Sequence, residues 1–218
     1  MAERFDLIVF DWDGTLMDSA GAIVRAMQAA TRDLGLAELA EERARYVIGL
    51  GLGEALRHAV PDLEESAYPR MVERYRHHYL SSDQELSLFE GVVEMIDALA
   101  ARGHLLAVAT GKSRIGLDRA LGHSGLGRYF HATRCADECF SKPHPAMLEA
   151  LMDELGASPE RTLMIGDTTH DLQMAKNART ASLGVGFGAH PLVALEAESP
   201  LACVRTPAEM ASWLLMHA

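Results

Sequence analysis

Short apolar runs recur along this chain, and each gives way to a stretch whose apolar residues repeat at helical spacing. FDLIVF (5–10), LLAVAT (105–110), YFHATRC (129–135), RTLMIGD (161–167) and ASLGVGF (181–187) read as strands. The segments 91–103, 113–126, 145–156, 169–178 and 207–218 read as helices, several of them closed by Gly. Continuous apolar runs belong to strands buried on both faces, and strands that alternate with helices belong to parallel sheets. The expected fold is therefore α/β, a doubly wound, Rossmann-like parallel sheet with helices on both sides.

One region breaks the alternation. From SAGAIVRAMQAATRDLGL (19–36), with Ser19 as a candidate N-cap and Gly35 near the stop, helical periodicity continues to about residue 88 without a strand. Pro61 and Pro69 punctuate it, the latter opening a helix over roughly 69–80. Residues 18–88 are read as an all-helical insertion, and residues 1–17 with 89–218 as the α/β core. A chain of 218 residues suits such an arrangement.

The first strand runs into DWDGTLMDS, so Asp11, Asp13 and Asp18 crowd within eight residues. Like charges about 4 Å apart repel by roughly 4 kcal/mol at an effective dielectric of 20. A cation or a reacting phosphate offsets that; exposure at a turn is the simpler alternative. In a doubly wound sheet ligands bind beyond the carboxyl ends of the strands. That edge would gather Asp11 and Asp13, then Thr110-Gly111-Lys112, then Ser141-Lys142-Pro143, then Asp167 with Asp171 four residues on. Several carboxylates with a hydroxyl and an ammonium suit Mg²⁺ rather than zinc, whose Cys and His ligands these positions lack. Lysine is scarce: of Lys112, Lys142 and Lys176, two fall in these loops.

Composition narrows the partners. A formal net charge of −11 argues against nucleic-acid binding through a general basic surface. No apolar run is long enough to cross a membrane. MAERFDLIVFD lacks the basic start and long apolar stretch of a secretory leader. Cys135, Cys139 and Cys203 are odd in number and lack zinc spacing, so they read as reduced thiols of a cytoplasmic protein.

DWDGT, ATGK, SKPHP and GDTTHD, in this order on successive strand ends, resemble the four motifs of the haloacid dehalogenase-like hydrolase superfamily. The insertion is similar to that family's C1 cap, and the nearest branch resembles the phosphoglycolate phosphatases. The resemblance implies a Mg²⁺-dependent phosphatase acting on a small-molecule phosphomonoester, as a monomer or homodimer. It implies Asp11 as the nucleophile that becomes an aspartyl phosphate, and Asp13 as general acid and base. Thr110 and the Gly111 N–H would bind the phosphoryl group, and Lys142 would hold both Asp11 and phosphate. Asp11, the Asp13 backbone carbonyl and Asp167 would ligate Mg²⁺, with Asp171 behind them. Two positions depart from the family pattern: Gly111 stands where Asn is usual, and Arg179-Thr180 where Ala-Gly is common.

Within the family, Asp13 speaks against dehalogenation, and the absence of lysine from 18–88 speaks against phosphonate cleavage through a cap Schiff base. A sugar-phosphate mutase is an alternative. From another class, so is a non-enzymatic phospho-accepting receiver-like switch, although such domains lack the insertion. Several features have plain readings. Asp171 is placed to complement a helix N-terminus. His144 and His170 read as structural, Arg43, Arg45 and Arg57 as a solvated helix face, and Met147, Met152, Met164 and Met174 as core filling. YVIGLGLGEAL (46–56) is either a helix–helix connection or a wall of the substrate entrance.

Overall fold

The computed structural model describes residues 4–82 and 86–218. Residues 1–3, at the head of the segment read above as no leader, and 83–85, within the helical insertion, lie outside the described residues. Six parallel strands form one sheet: β1 Leu7–Phe10, β2 Leu105–Thr110, β3 Ala132–Cys135, β4 Thr162–Gly166, β5 Ala181–Val185 and β6 Ala202–Val204. Their spatial order is β3-β2-β1-β4-β5-β6. β1 lies between β2 and β4, with Leu7 opposite both Leu105 and Thr162.

All four residues of β1 are buried, and the two-residue period of a strand deals them to two cores. Ile8 and Phe10 pack with Ile96 and Leu99 of α5 (Val92–Ala101) and Leu214 of α10 (Pro207–His217). Leu7 and Val9 pack with Met147 and Leu151 of α7 (Ala146–Leu155) and Met174 of α8 (Thr169–Asn177). Covering both faces is what makes an unbroken apolar strand favourable. The four methionines expected in the core are all buried.

Between β1 and α5 stand α1 (Ala20–Asp33), α2 (Glu41–Tyr46), α3 (Leu52–Ala59) and α4 (Tyr68–Ser82). They enclose a separate apolar cluster that includes Ile23, Met27 and Ala30 of α1, Leu56 of α3 and Met71 of α4. The chain enters and leaves this block through paired backbone. Asp18 N–H donates to Ser87 O at 3.0 Å, and Phe89 N–H donates to Leu16 O at 3.0 Å.

The remaining helices are α6 (Arg114–Ser124) and α9 (Leu192–Ala197). Neither α9 nor β6 is marked by the sequence pattern: one has six residues and the other three, too few for a period to show. Arg43 is exposed, while Arg45 and Arg57 form surface ion pairs with Glu41 and Glu65. At the end of α8, Arg179 takes φ 60°, so the left-handed position of the Arg179-Thr180 pair falls on Arg179. The three cysteines are free thiols, and burial pushes Cys135 up to about 12.

Candidate active site

The carboxyl edge of the sheet carries every residue singled out for chemistry. Asp11 sits one position beyond β1, where its N–H still donates to Ile165 O at 2.9 Å and continues the pairing with β4. The chain then turns over Trp12–Met17, with Leu16 and Met17 N–H both donating to Trp12 O at 3.0 Å. Gly14 makes this turn possible with φ 82°. A Cβ at Gly14 would also lie 2.1 Å from Asp167 Oδ2, so the turn is the floor on which Asp167 rests.

Asp11, Asp167 and Asp171 offer carboxylate oxygens that all lie within 4.8 Å of one another, and all three residues are buried. Lys142, fully buried, reaches Asp11 Oδ1 at 2.7 Å and Asp171 Oδ1 at 2.6 Å. Thr15 Oγ1 donates to Asp167 Oδ1 at 3.1 Å, and Ala189 N–H donates to Asp167 Oδ2 at 2.7 Å. Asp171 Oδ2 accepts from Thr168 N–H and Oγ1, closing a capping box at the start of α8. Asp171 thus serves the helix N-terminus with one oxygen and Lys142 with the other.

Three ionised carboxylates against one ammonium would leave two uncompensated negative charges in a water-poor site. The titration of the groups reflects this. Burial pushes the Asp11 carboxyl up to about 7, against the pull of Lys142, with the Asp171 charge adding to the rise. Burial, then the charges of Asp11 and Asp171, holds Asp167 well above the ordinary carboxylate range. Burial alone would pull the Lys142 ammonium down; Asp11 and Asp171 outweigh it and hold its pKa above the usual lysine value. Asp11 Oδ2 is buried without a hydrogen-bond partner. A divalent cation bound by oxygens would fill that vacant coordination and cancel the excess charge, so the donor set fits one.

The Asp13 side chain turns away from this cluster. Its Oδ1 accepts from Ser19 Oγ at 2.6 Å and lies 3.0 Å from Lys112 Nζ. Ser19 does occupy the N-cap position of α1, but its hydroxyl is spent on Asp13 and not on the helix N–H groups expected of a cap. Lys112 also donates to Tyr79 OH at 2.9 Å, linking α4 to the loop after β2. Neither Ser19 nor Lys112 is assigned a chemical role by sequence reasoning, although topology places Lys112 with Asp13 at the carboxyl edge of the sheet.

Asp11, Asp13, Thr110, Gly111 and Lys112 line one cavity of about 650 Å³, whose opposite wall comes from α1, α4 and residues 47–55. Thr110 Oγ1 accepts from Lys112 N–H at 3.2 Å, which fixes the loop after β2. Gly111 has no room for a side chain: a Cβ there would stand 2.5 Å from Leu50 O and 2.6 Å from Gly49 O. The YVIGLGLGEAL segment is therefore both things, the connection between α2 and α3 and a wall of the cavity. It is pinned by Gly51 N–H donating to Ser141 Oγ at 2.9 Å, and by Tyr46 O, which accepts from His170 Nε2 at 2.8 Å and His190 Nε2 at 3.0 Å. A carbonyl only accepts, so both rings carry a proton on Nε2. His170 is thus structural, and His144 is exposed, its Nδ1 accepting from Ala146 N–H.

A family model described as haloacid dehalogenase-like hydrolase matches residues 8–185, which span all four motif loops. The chain belongs to the haloacid dehalogenase-like hydrolases. It is 39% identical over 210 residues to the "Probable phosphatase IndB" of Dickeya dadantii, covering 94% of this chain and 91% of the relative. It is 33% identical to a phosphoglycolate phosphatase of Agrobacterium fabrum, covering 87% and 85%. A 5'-nucleotidase of Pseudomonas aeruginosa is also 33% identical, covering 86% and 85%. Among solved structures, a predicted phosphoglycolate phosphatase from Haemophilus somnus superposes with a TM-score of 0.85 at 26% identity, covering 97% of this chain and 99% of that one. Membership in an enzyme family sets aside the receiver-like reading, and this haloacid dehalogenase-like protein is a hydrolase of the phosphatase branch. Among the described residues, no helix is long and apolar enough to cross a membrane.

Proposed function

We propose that the protein is a Mg²⁺-dependent phosphatase of small phosphomonoesters that works through an aspartyl phosphate on Asp11. The observation that carries this is Asp11 itself: one oxygen held by Lys142 at 2.7 Å, the other buried and unpaired, at the floor of a cavity. An Asp11 oxygen attacks phosphorus and the bond to the leaving alkoxide breaks. Asp13 gives that alkoxide a proton, then takes one from the water that hydrolyses the aspartyl phosphate. Both contacts of Asp13 fall on Oδ1, which leaves Oδ2 to exchange the proton. Thr110 Oγ1 and Gly111 N–H donate to the phosphoryl oxygens, and Lys142 keeps Asp11 aimed. Asp11, Asp167 and the Asp13 carbonyl would hold Mg²⁺, with Asp171 acting through Lys142 or a water. Bound there, the ion supplies positive charge opposite the phosphoryl oxygens.

Residues 18–88 act as a cap domain over the core formed by 1–17 and 89–218, closing to exclude water during transfer. The relatives' names point to 2-phosphoglycolate or a nucleoside 5'-phosphate as candidate substrates. The test is phosphate release from a panel holding both, with sugar phosphates and pyrophosphate, with and without Mg²⁺. Mg²⁺-dependent release that vanishes in Asp11→Asn supports the reading. Release that ignores Mg²⁺ and survives Asp11→Asn overturns it.

A further inference from the structure

The wall facing Asp11 and Asp13 bears on what the leaving group must look like. Ile23 and Met27 of α1, Ile48 and Leu50 of the α2–α3 connection, and Tyr75 and Tyr79 of α4 line the cavity opposite the reacting carboxylates. The two tyrosine rings stack, with centroids 5.8 Å apart and planes 17° from parallel. A cavity of about 650 Å³ also exceeds what the smallest substrates need. At protein-interior packing density a two-carbon phosphoester would occupy on the order of a quarter of it.

Charge in the cavity tells against a second anionic group on the substrate. The cations that line it are Lys112, Arg76 and Arg119. Lys112, the one that is not exposed, already faces Asp13 at 3.0 Å and Tyr79 OH at 2.9 Å. Arg76 and Arg119 are exposed. A carboxylate two bonds from the phosphate oxygen would compete with Asp13 for Lys112. An apolar or aromatic body in the same place would displace water from aliphatic and tyrosine surface.

We infer that the preferred substrate is a phosphomonoester of an alcohol carrying a planar or branched apolar body, seated between α1 and the Tyr75–Tyr79 pair, and not a two-carbon acid phosphate. This rests on the phosphatase reading and narrows it.

The experiment compares 2-phenylethyl phosphate, uridine 5'-monophosphate and 2-phosphoglycolate in Mg²⁺ buffer. Turnover is measured with the wild-type protein, and binding with Asp11→Asn by calorimetry. The expected result is at least a tenfold higher kcat/KM and at least tenfold tighter binding for 2-phenylethyl phosphate than for 2-phosphoglycolate. Met27→Trp, which fills the cavity, should lower that ratio about tenfold. Tyr75→Leu, which removes one stacked ring, gives an independent second reading of the same ratio should the first variant not fold. Preference for 2-phosphoglycolate in both assays overturns the inference, as does a ratio unmoved by the folded variants. Tight binding of the aromatic ester without turnover of any ester by the wild type would overturn the phosphatase reading, and with it the aromatic ester as substrate, leaving only the cavity's binding preference. Preference for the nucleotide over both other esters overturns the apolar body of the inference, since ribose and uracil are polar.

Discussion

Gly111→Ala adds one methyl group at the place where the helical block comes nearest to the strand edge. The new Cβ would lie 2.5 Å from Leu50 O and 2.6 Å from Gly49 O, both backbone atoms that no rotamer change can move. Restoring ordinary contact needs a shift of the 46–51 connection by roughly 0.5–1 Å, and overpacking of this kind costs about 1–3 kcal/mol. The same connection holds Ser141 through Gly51, and His170 and His190 through Tyr46. The strain therefore falls on the contact between the helical block and the strand edge. The two apolar clusters of the sheet are untouched, but Val47, Ile48 and Leu50 of the shifted connection belong to the cluster within the block, so the thermal midpoint should fall by roughly 2–4 °C per kcal/mol of that strain. If turnover needs the docked cap, kcat/KM should fall about 5- to 150-fold, the range those energies convert to at 1.4 kcal/mol per decade. The assay is phosphate release alongside thermal unfolding. Gly111→Ala with wild-type kcat/KM would refute the argument, because it would mean that close approach of residues 49–50 is not part of the working enzyme.

Other perturbations follow from the same geometry. Lys142→Ala leaves three buried carboxylates facing one another and should destabilise the metal-free protein by about 3–5 kcal/mol. Added Mg²⁺ should recover part of that loss in a thermal melt, whereas a loss indifferent to Mg²⁺ would count against the charge argument. Asp11 has its folded-state pKa raised to about 7, so the metal-free fold binds a proton there more tightly than the unfolded chain does. Its stabilising contribution is full below the unfolded carboxylate range and is lost as pH rises through about 7. The stability of metal-free wild type relative to Asp11→Asn should accordingly decline over that window; a difference flat in pH would contradict it. Arg179→Gly relieves a left-handed backbone that costs a side-chain-bearing residue roughly 1–2 kcal/mol. Part of that gain is offset by the greater freedom of Gly in the unfolded chain. A modest rise in thermal midpoint is expected, and a fall would show that Arg179 has contacts outweighing its strain.

The strand ends were readable because each apolar run is short and is followed at once by its polar residue, as in LIVF-Asp11 and LMIG-Asp167. Doubly wound topology then brings them together without further information. The insertion was readable because helical spacing continues where a strand should come. What surrounds Asp13 was readable only in part. Ser19 looks like a helix cap until the turn at Gly14 folds it back; doubly wound topology brings Lys112 to the same edge as Asp13, but the ion pair between their side chains leaves no local pattern. The Tyr46 carbonyl that takes both His170 and His190 left no mark either, since a backbone acceptor has no sequence signature. Gly111 could be noted as a departure from the family motif, but its reason lies in Gly49 and Leu50, on the far side of the cavity. Asp171 complements the start of α8 with one carboxylate oxygen, as its sequence position suggests, and meets Lys142 with the other, a contact that no local pattern records.

The central claim is that Asp11 takes the phosphoryl group. Rapid quenching of the enzyme in acid during turnover of a ³²P-labelled phosphomonoester, in Mg²⁺ buffer, tests it most directly. The account predicts label on the wild-type protein, stable in acid and released by base, mapping to the peptide that contains Asp11 and missing from Asp11→Asn. Full turnover with no labelled protein at any quench time, or label retained in Asp11→Asn, would contradict it.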